Sequence, residues 1–301
     1  MNIVETKHLR IEFKFGDKTS VPVRDVSIAI PPGGRVALVG ESGCGKSLTA
    51  LAIGGLVERA EISGEIVFPA SGGRRPVISY VFQNPMQSLD PVMRVGAQIA
   101  ESAEARRKRC DVASLLSDVG LDPAVASRYP CELSGGQCQR IMIATALAAQ
   151  PELLVADEPT TALDVTTQAE VLELIGKVTA ERGTATLFIT HNLGLVAKYS
   201  DVVNVMYAGE IVESGQVLDI MSSPRHPYTK GLLAAVPRLD APKDAPIRDI
   251  PGVVPPPWNW PEGCAFRPRC SEARETCGDA KKFNGCPLVF RRGFWYNSLK
   301  W

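Results

Sequence analysis

The sequence predicts an α/β fold with a mainly parallel core sheet, and three observations carry that expectation. Short apolar runs at Val36–Val39, Val77–Phe82, Leu153–Ala156, Thr186–Ile189 and Val202–Met206 are separated by stretches of helical length, the pattern of strands buried on both faces. A glycine-rich loop, Gly40–Ser47, follows the first of these runs and opens the helical stretch Leu48–Leu56, and a carboxylate pair, Asp157 and Glu158, ends another. In parallel sheets ligands collect at the carboxyl ends of strands, where both features fall.

Around that core, the runs Leu9–Phe15 and Val26–Ile30 alternate with polar residues across a turn containing Gly16 and Asp17, which reads as an N-terminal antiparallel β layer. From Asn84 to Arg140 strand patterns stop and helical ones appear, at Val95–Ala105 and Val112–Val119. The expected organisation is therefore one large domain over residues 1–236 with a helical subdomain inserted at about 84–140. Prolines then accumulate at Pro237, Pro242, Pro246, Pro251 and Pro255–Pro257, so residues 237–301 read as a proline-rich tether leading to a small C-terminal cysteine-rich extension. No internal repeat is found, so the chain carries a single copy of the core.

Lysine plus arginine balances aspartate plus glutamate at 33 each. That balance argues against a nucleic-acid partner, and any polyanion must be held by a local site. The basic run Arg106–Arg109 reads as a solvated face at a helix end. No stretch reaches the roughly 20 apolar residues of a membrane span, and the first 15 residues lack the apolar centre of a signal peptide. The expectation is a cytosolic chain.

Gly40–Ser47 reads GESGCGKS and fits G-x-x-x-x-G-K-[ST] between a strand and a helix. Gly40, Gly43 and Gly45 let backbone N–H groups of the loop, which includes Glu41, Ser42 and Cys44, converge on phosphate. Lys46 suits the β- and γ-phosphates, Ser47 a magnesium ion, and Leu48 begins the helix whose dipole favours the anion. Asp157 suits the magnesium shell, and Glu158 a base that activates or positions water. The two motifs together specify a nucleoside triphosphatase. Cys44 reads as a small spacer, with Lys46 and the helix start as groups that would lower its pKa.

Leu133–Gln137 reads LSGGQ at the start of a helix reaching Ala149. Ser134, Gly135, Gly136 and Gln137 make a second anion-binding surface, and the pentapeptide resembles the signature of the ABC ATPases. In that family two cassettes pair head to tail, each signature closing on the partner's γ-phosphate. Further matching positions are Gln83 after a strand, Ala162-Leu163-Asp164 after the acid pair, and His191 at the end of the run Thr186–Thr190. The resemblance implies that Gln83 links magnesium and water to a membrane-domain interface, that Asp164 crosses the dimer interface, and that His191 holds the γ-phosphate. Phe13, or else Phe15, is a candidate to stack on adenine.

FQNPMQSLDP (82–91), DEPTTALDVTTQA (157–169), SPRHPYTKGLLAAVPRL (223–239) and GCAFRPRC (263–270) are similar to the oligopeptide/dipeptide/nickel permease ATPases. Departures are Cys138 where that family commonly has arginine, Asn192 for the usual aspartate, and a short segment at Glu65–Pro76. The resemblance implies an ATP hydrolase that powers import of di- or oligopeptides, with nickel or another small solute as the alternative and a non-transport ABC ATPase as a more remote one. It also implies a second, different ATPase chain, two transmembrane permease subunits, an extracytoplasmic binding protein, and a peripheral position on the cytoplasmic face of the inner membrane.

Cys264, Cys270, Cys277 and Cys286 crowd into one segment with five, six and eight residues between them. In a reducing compartment that favours a metal centre, and four thiolates suit iron–sulfur or zinc alike. The resemblance tilts the expectation to a [4Fe-4S] cluster, with Zn2+ as the alternative.

Overall fold

A computed structural model describes residues 1–160, 165–236, 249–278 and 286. The chain packs as two compact units. One comprises Met1–Ile3, Ile30–Arg35 and the described residues of Phe68–Ile189; the other comprises Val4–Ala29, Val36–Val67 and the described residues from Thr190 onward.

The second unit is built on strands. β1 (Val4–Phe15) and β2 (Lys18–Ile30) form a hairpin across Gly16-Asp17, and Gly16 supplies the positive φ of 59° that the tight turn needs. β1 also pairs antiparallel with β4 (Glu61–Val67), and β3 (Arg35–Val39) pairs in parallel with β8 (Val202–Tyr207) from Val36↔Val202 to Val39↔Val205. β9 (Glu210–Gln216) runs antiparallel to β8 and touches β2 in parallel at Asp25↔Glu210. β4 and β9 were not expected from the sequence. β4 is mostly exposed and β9 mostly half-buried, so neither leaves the continuous apolar run that marks a buried strand.

Between β3 and β4 lies α1 (Lys46–Gly54), closed by Gly55 at φ 69°, whose N–H and that of Leu56 donate back to Ala52 and Leu51 carbonyls. After β9 come α8 (Val217–Ser222) and α9 (Pro227–Ala234). Residues 249–278 pack in the same unit rather than standing apart. Val21 N–H donates to Pro257 O at 3.0 Å and Trp260 Nε1 to Val21 O at 2.9 Å, so this part of the expected tether lies along β2.

In the first unit β5 (Ile78–Val81), β6 (Leu153–Asp157) and β7 (Ala185–Thr190) form a parallel ladder in the order β5-β6-β7. Each lies within a predicted apolar run or overhangs it by a residue. Between β5 and β6 come only helical elements, α2 (Pro85–Ser88), α3 (Val95–Glu104), α4 (Val112–Asp118), three-residue to five-residue 3-10 turns, and α5 (Gly135–Ala148). α5 is buried on nearly every side from Cys138 to Ala148, which makes it the axis against which the shorter helices pack. α6 (Val165–Arg182) follows β6, and α7 (Leu193–Tyr199), in the other unit, follows β7. No helix among the described residues is long and apolar enough to cross a membrane.

Candidate functional site

Gly40–Ser47 leaves the carboxyl end of β3 and turns into α1 without a side-chain cap, because Gly45 occupies the N-cap position in a left-handed conformation at φ 102°. A Cβ at Gly45 would lie 2.6 Å from Pro22 O, and one at Gly40 would lie 2.1 Å from Met206 O. Both positions therefore exclude any side chain. Lys46 is 4 % exposed and its ammonium donates to Gly40 O at 2.8 Å and Glu41 O at 2.9 Å, so a buried cation sits at the centre of the loop. Glu41 N–H donates to the Tyr228 hydroxyl at 2.8 Å and Gly209 N–H to Cys44 O at 3.1 Å, which pins the loop at two further points. Ser42, Gly43 and Ser47 remain exposed and Leu48 half-buried. The uncapped helix start, the convergent backbone and the lysine fit a polyphosphate.

Cys44 packs as a small spacer, without the lowered pKa that Lys46 and the helix start would give it. It is fully buried, and that burial pushes its thiol pKa up despite Lys46 nearby.

Phe13 and Phe15 stack with centroids 6.2 Å apart and an interplanar angle of 14°, Phe15 being 66 % exposed. Both belong to the unit that holds the loop. His191 follows β7 and is exposed. Asn192 next to it accepts from Gly194 N–H at 3.0 Å and so caps the start of α7, a role that asparagine fills as well as aspartate.

In the other unit, β6 ends on Asp157, paired with Ile189 of β7. Glu158 adopts φ 46°, and its N–H donates to Ile189 O at 2.9 Å. A glutamate in the left-handed region is uncommon and strained, and such residues cluster at functional sites. The sequence carried no sign of this strain. Gln83 Nε2 donates to Glu158 Oε2 at 3.4 Å, bringing together two residues singled out separately. Ser47 in one unit and Asp157 in the other each carry an oxygen donor of the kind a hard divalent cation such as Mg2+ takes.

The LSGGQ segment starts α5 with Ser134 as N-cap. Ser134 Oγ accepts from Gln137 N–H at 3.3 Å and Gln137 Oε1 accepts from Ser134 N–H at 3.0 Å, a reciprocal capping box. Ser134 and Gly135 are exposed, and a Cβ at Gly135 or Gly136 would meet nothing within 4 Å. Cys138 is buried and its thiol lies 3.6 Å from Pro130 O. Asp164 lies outside the described residues.

The cysteine-cluster expectation is corrected. Cys264, Cys270, Cys277 and Cys286 do line one cavity with His226, but its volume is about 10 Å³, room for one water at most. Among the described residues no group of three or more His, Cys, Asp or Glu side chains is placed to hold a metal ion. The [4Fe-4S] assignment and its zinc alternative are therefore withdrawn, and crowding of cysteines in sequence proved a poor guide to ligation.

A glycine-rich phosphate loop between β3 and α1, together with a strand ending in two carboxylates, defines the class as a phosphate-loop nucleoside triphosphatase. Comparison with known proteins sharpens this. The ABC transporter family matches residues 23–161, and the oligopeptide/dipeptide transporter C-terminal region matches 212–277. A Brucella ovis relative named for peptide import and ATP binding is 46% identical, covering 91% of both chains. The oligopeptide transport ATP-binding protein OppD of Salmonella typhimurium is 41% identical over 92% of this chain and 89% of its own. The dimeric ATP-binding cassette MJ0796, solved with ADP and Pi, superposes with a TM-score of 0.61 at 26% identity, over 71% of this chain and 98% of that one. The chain belongs to the ABC transporter ATPase family, in its oligopeptide/dipeptide branch, and is an ATP hydrolase.

Proposed function

We propose that the chain is the ATP-binding and ATP-hydrolysing subunit of an importer of di- or oligopeptides, acting at the cytoplasmic face of the membrane. The observation that carries it is the loop Gly40–Ser47, in which Gly40 and Gly45 admit no side chain and whose centre is a buried lysine. The C-terminal match and the names of the relatives favour peptides over nickel. Partners in this reading are a second cassette, two transmembrane permease subunits and an extracytoplasmic binding protein.

In this assignment the backbone of Gly40–Ser47 and Lys46 hold the phosphates, Phe13 stacks on adenine, and Ser47, Gln83 and Asp157 hold Mg2+, which supplies charge neutralisation when bound. Glu158 takes the proton of the attacking water, Gln83 orients that water beside it, and His191 steadies the γ-phosphate. Ser134, Gly135, Gly136 and Gln137, with Asp164, serve the nucleotide held by the partner cassette. Among the described residues nothing lies within 4 Å of where a Cβ of Gly135 or Gly136 would sit, and glycine there is accounted for if a second molecule approaches closely.

The test is Glu158→Gln in the assembled transporter. MgATP binding should persist while hydrolysis falls about 100-fold or more, and uptake of a labelled dipeptide should stop with it. Turnover near the wild-type rate would overturn the assignment of Glu158. ATP-driven uptake of nickel without peptide uptake would overturn the substrate.

A further inference from the structure

Arg269, far along the chain in the GCAFRPRC stretch, reaches back to the second residue of the phosphate loop. Its Nη1 donates to Glu41 Oε2 at 2.7 Å and its Nη2 to Glu41 Oε1 at 3.0 Å, a parallel two-bond clamp. The remaining donors are also taken. Nε donates to Pro251 O at 2.8 Å, Nη2 to Ile250 O at 3.2 Å and Nη1 to the Tyr207 hydroxyl at 3.5 Å. A guanidinium offers five N–H groups, and here all five have acceptors.

The side chain is 4% exposed and its cation lies over the rings of Tyr207 and Phe266, at 5.8 and 5.9 Å from their centroids. Those rings pack with Tyr228, which accepts the Glu41 N–H. The clamp thus fixes both the carboxylate and, through the same aromatic cluster, the backbone of Glu41.

A carboxylate at this place is a liability for a loop that must receive a polyanion, because an unpaired charge there repels phosphate. The clamp neutralises it and holds it turned toward the C-terminal segment. A buried ion pair is by itself weak grounds for stability, so the over-determined geometry calls for another account. We propose that Arg269 is a positioning residue of the phosphate loop, through which the C-terminal segment sets the affinity for ATP. The inference rests on the reading of Gly40–Ser47 as the ATP-binding loop.

The experiment is equilibrium binding of MgATP to the full chain, with Lys46→Ala as reference, and steady-state kinetics in the assembled transporter. Arg269→Met should weaken MgATP about tenfold and raise KM while leaving kcat at saturating ATP in place. Adding Glu41→Gln to it should restore affinity to within about threefold, since the repelling charge is gone. A role confined to packing would show no such rescue. Wild-type affinity in Arg269→Met, or equal weakness with and without Glu41→Gln, would overturn the proposal while Lys46→Ala still lost binding. Undiminished affinity in Lys46→Ala would overturn the loop reading and the proposal with it. If circular dichroism shows Arg269→Met unfolded, Arg269→Lys, which keeps the charge and loses the paired geometry, carries the same comparison with and without Glu41→Gln.

Discussion

The chain holds two glycine-bearing helix starts suited to an anion, and they are built in opposite ways. The phosphate loop enters α1 through Gly45 with no side-chain cap, and Gly40 and Gly45 are demanded by backbone atoms of the chain itself. The signature segment enters α5 through a complete capping box of Ser134 and Gln137, and Gly135 and Gly136 have open space where a Cβ would go. The first has N–H groups left for a ligand and is held in shape from several sides. The second is finished as a helix end, and its glycines meet no described residue that would require them. A loop that is complete within one chain differs from a half-site that acquires meaning from another chain, and this contrast, more than the presence of LSGGQ, supports a site shared between two cassettes.

Alanine scanning at the glycines should separate the two most widely. Gly45→Ala places a Cβ against Pro22 O in a left-handed conformation, so it should cost about 4 kcal/mol of stability, combining backbone strain with overpacking, and abolish MgATP binding. Gly136→Ala should leave urea unfolding unchanged or stabilise it by up to about 1 kcal/mol. It should nonetheless reduce ATP hydrolysis by the assembled transporter about tenfold. Equal destabilisation by the two substitutions would erase the distinction.

The support behind the phosphate loop also carries a titratable group. The aromatic cluster behind Glu41 includes α9, whose N-cap is His226, 2% exposed, with Nδ1 accepting from Tyr228 N–H at 3.1 Å. Burial pushes its pKa down to about 4, with Lys230 adding to that and Glu272 opposing it. The Glu213 carboxylate faces its backbone, accepting His226 N–H at 3.0 Å. Between about 4 and the ordinary 6.5 the unfolded chain binds the extra proton and the folded one does not. Stability therefore falls as pH drops through that window and is flat for this group below it. The loss should reach on the order of 3 kcal/mol. Urea titrations at pH 7 and pH 4.5 should show most of it in the wild type and much less in His226→Asn, which can cap without titrating. An identical pH slope in the two proteins would rule out His226 as the source.

How much of this could be read from the sequence depended on how local each feature is. Gly40–Ser47, Asp157 and Glu158 were legible because a strand, a loop and a helix in immediate succession dictate them. β4 and β9 were not, because half-exposed strands leave no continuous apolar run. The clamp of Arg269 on Glu41 spans 228 positions, and nothing local to either residue signals the other. The strain at Glu158 depends on Ile189 in a neighbouring strand and was equally silent. Cys264, Cys270, Cys277 and Cys286 mark the reverse error. Their crowding is local and conspicuous, but ligation depends on the room between the side chains and their placement around it, which only packing determines.

The smallest effect tests the capped helix start itself. Ser134 makes one side-chain hydrogen bond to the α5 backbone and receives support from Gln137 in return. Ser134→Ala should therefore cost about 1 kcal/mol in urea unfolding, the usual loss of an N-cap. Ser134→Asp should restore that stability, because aspartate caps as well as serine and its charge suits a helix N-terminus. In the assembled transporter the two variants should part company. A carboxylate set against a partner's γ-phosphate repels it at a distance where water no longer screens, so Ser134→Asp should lower hydrolysis further than Ser134→Ala although it is the more stable protein. If activity instead follows stability across the three proteins, Ser134 acts only as a cap, and the half-site would rest on Gly135, Gly136 and Gln137 with Asp164.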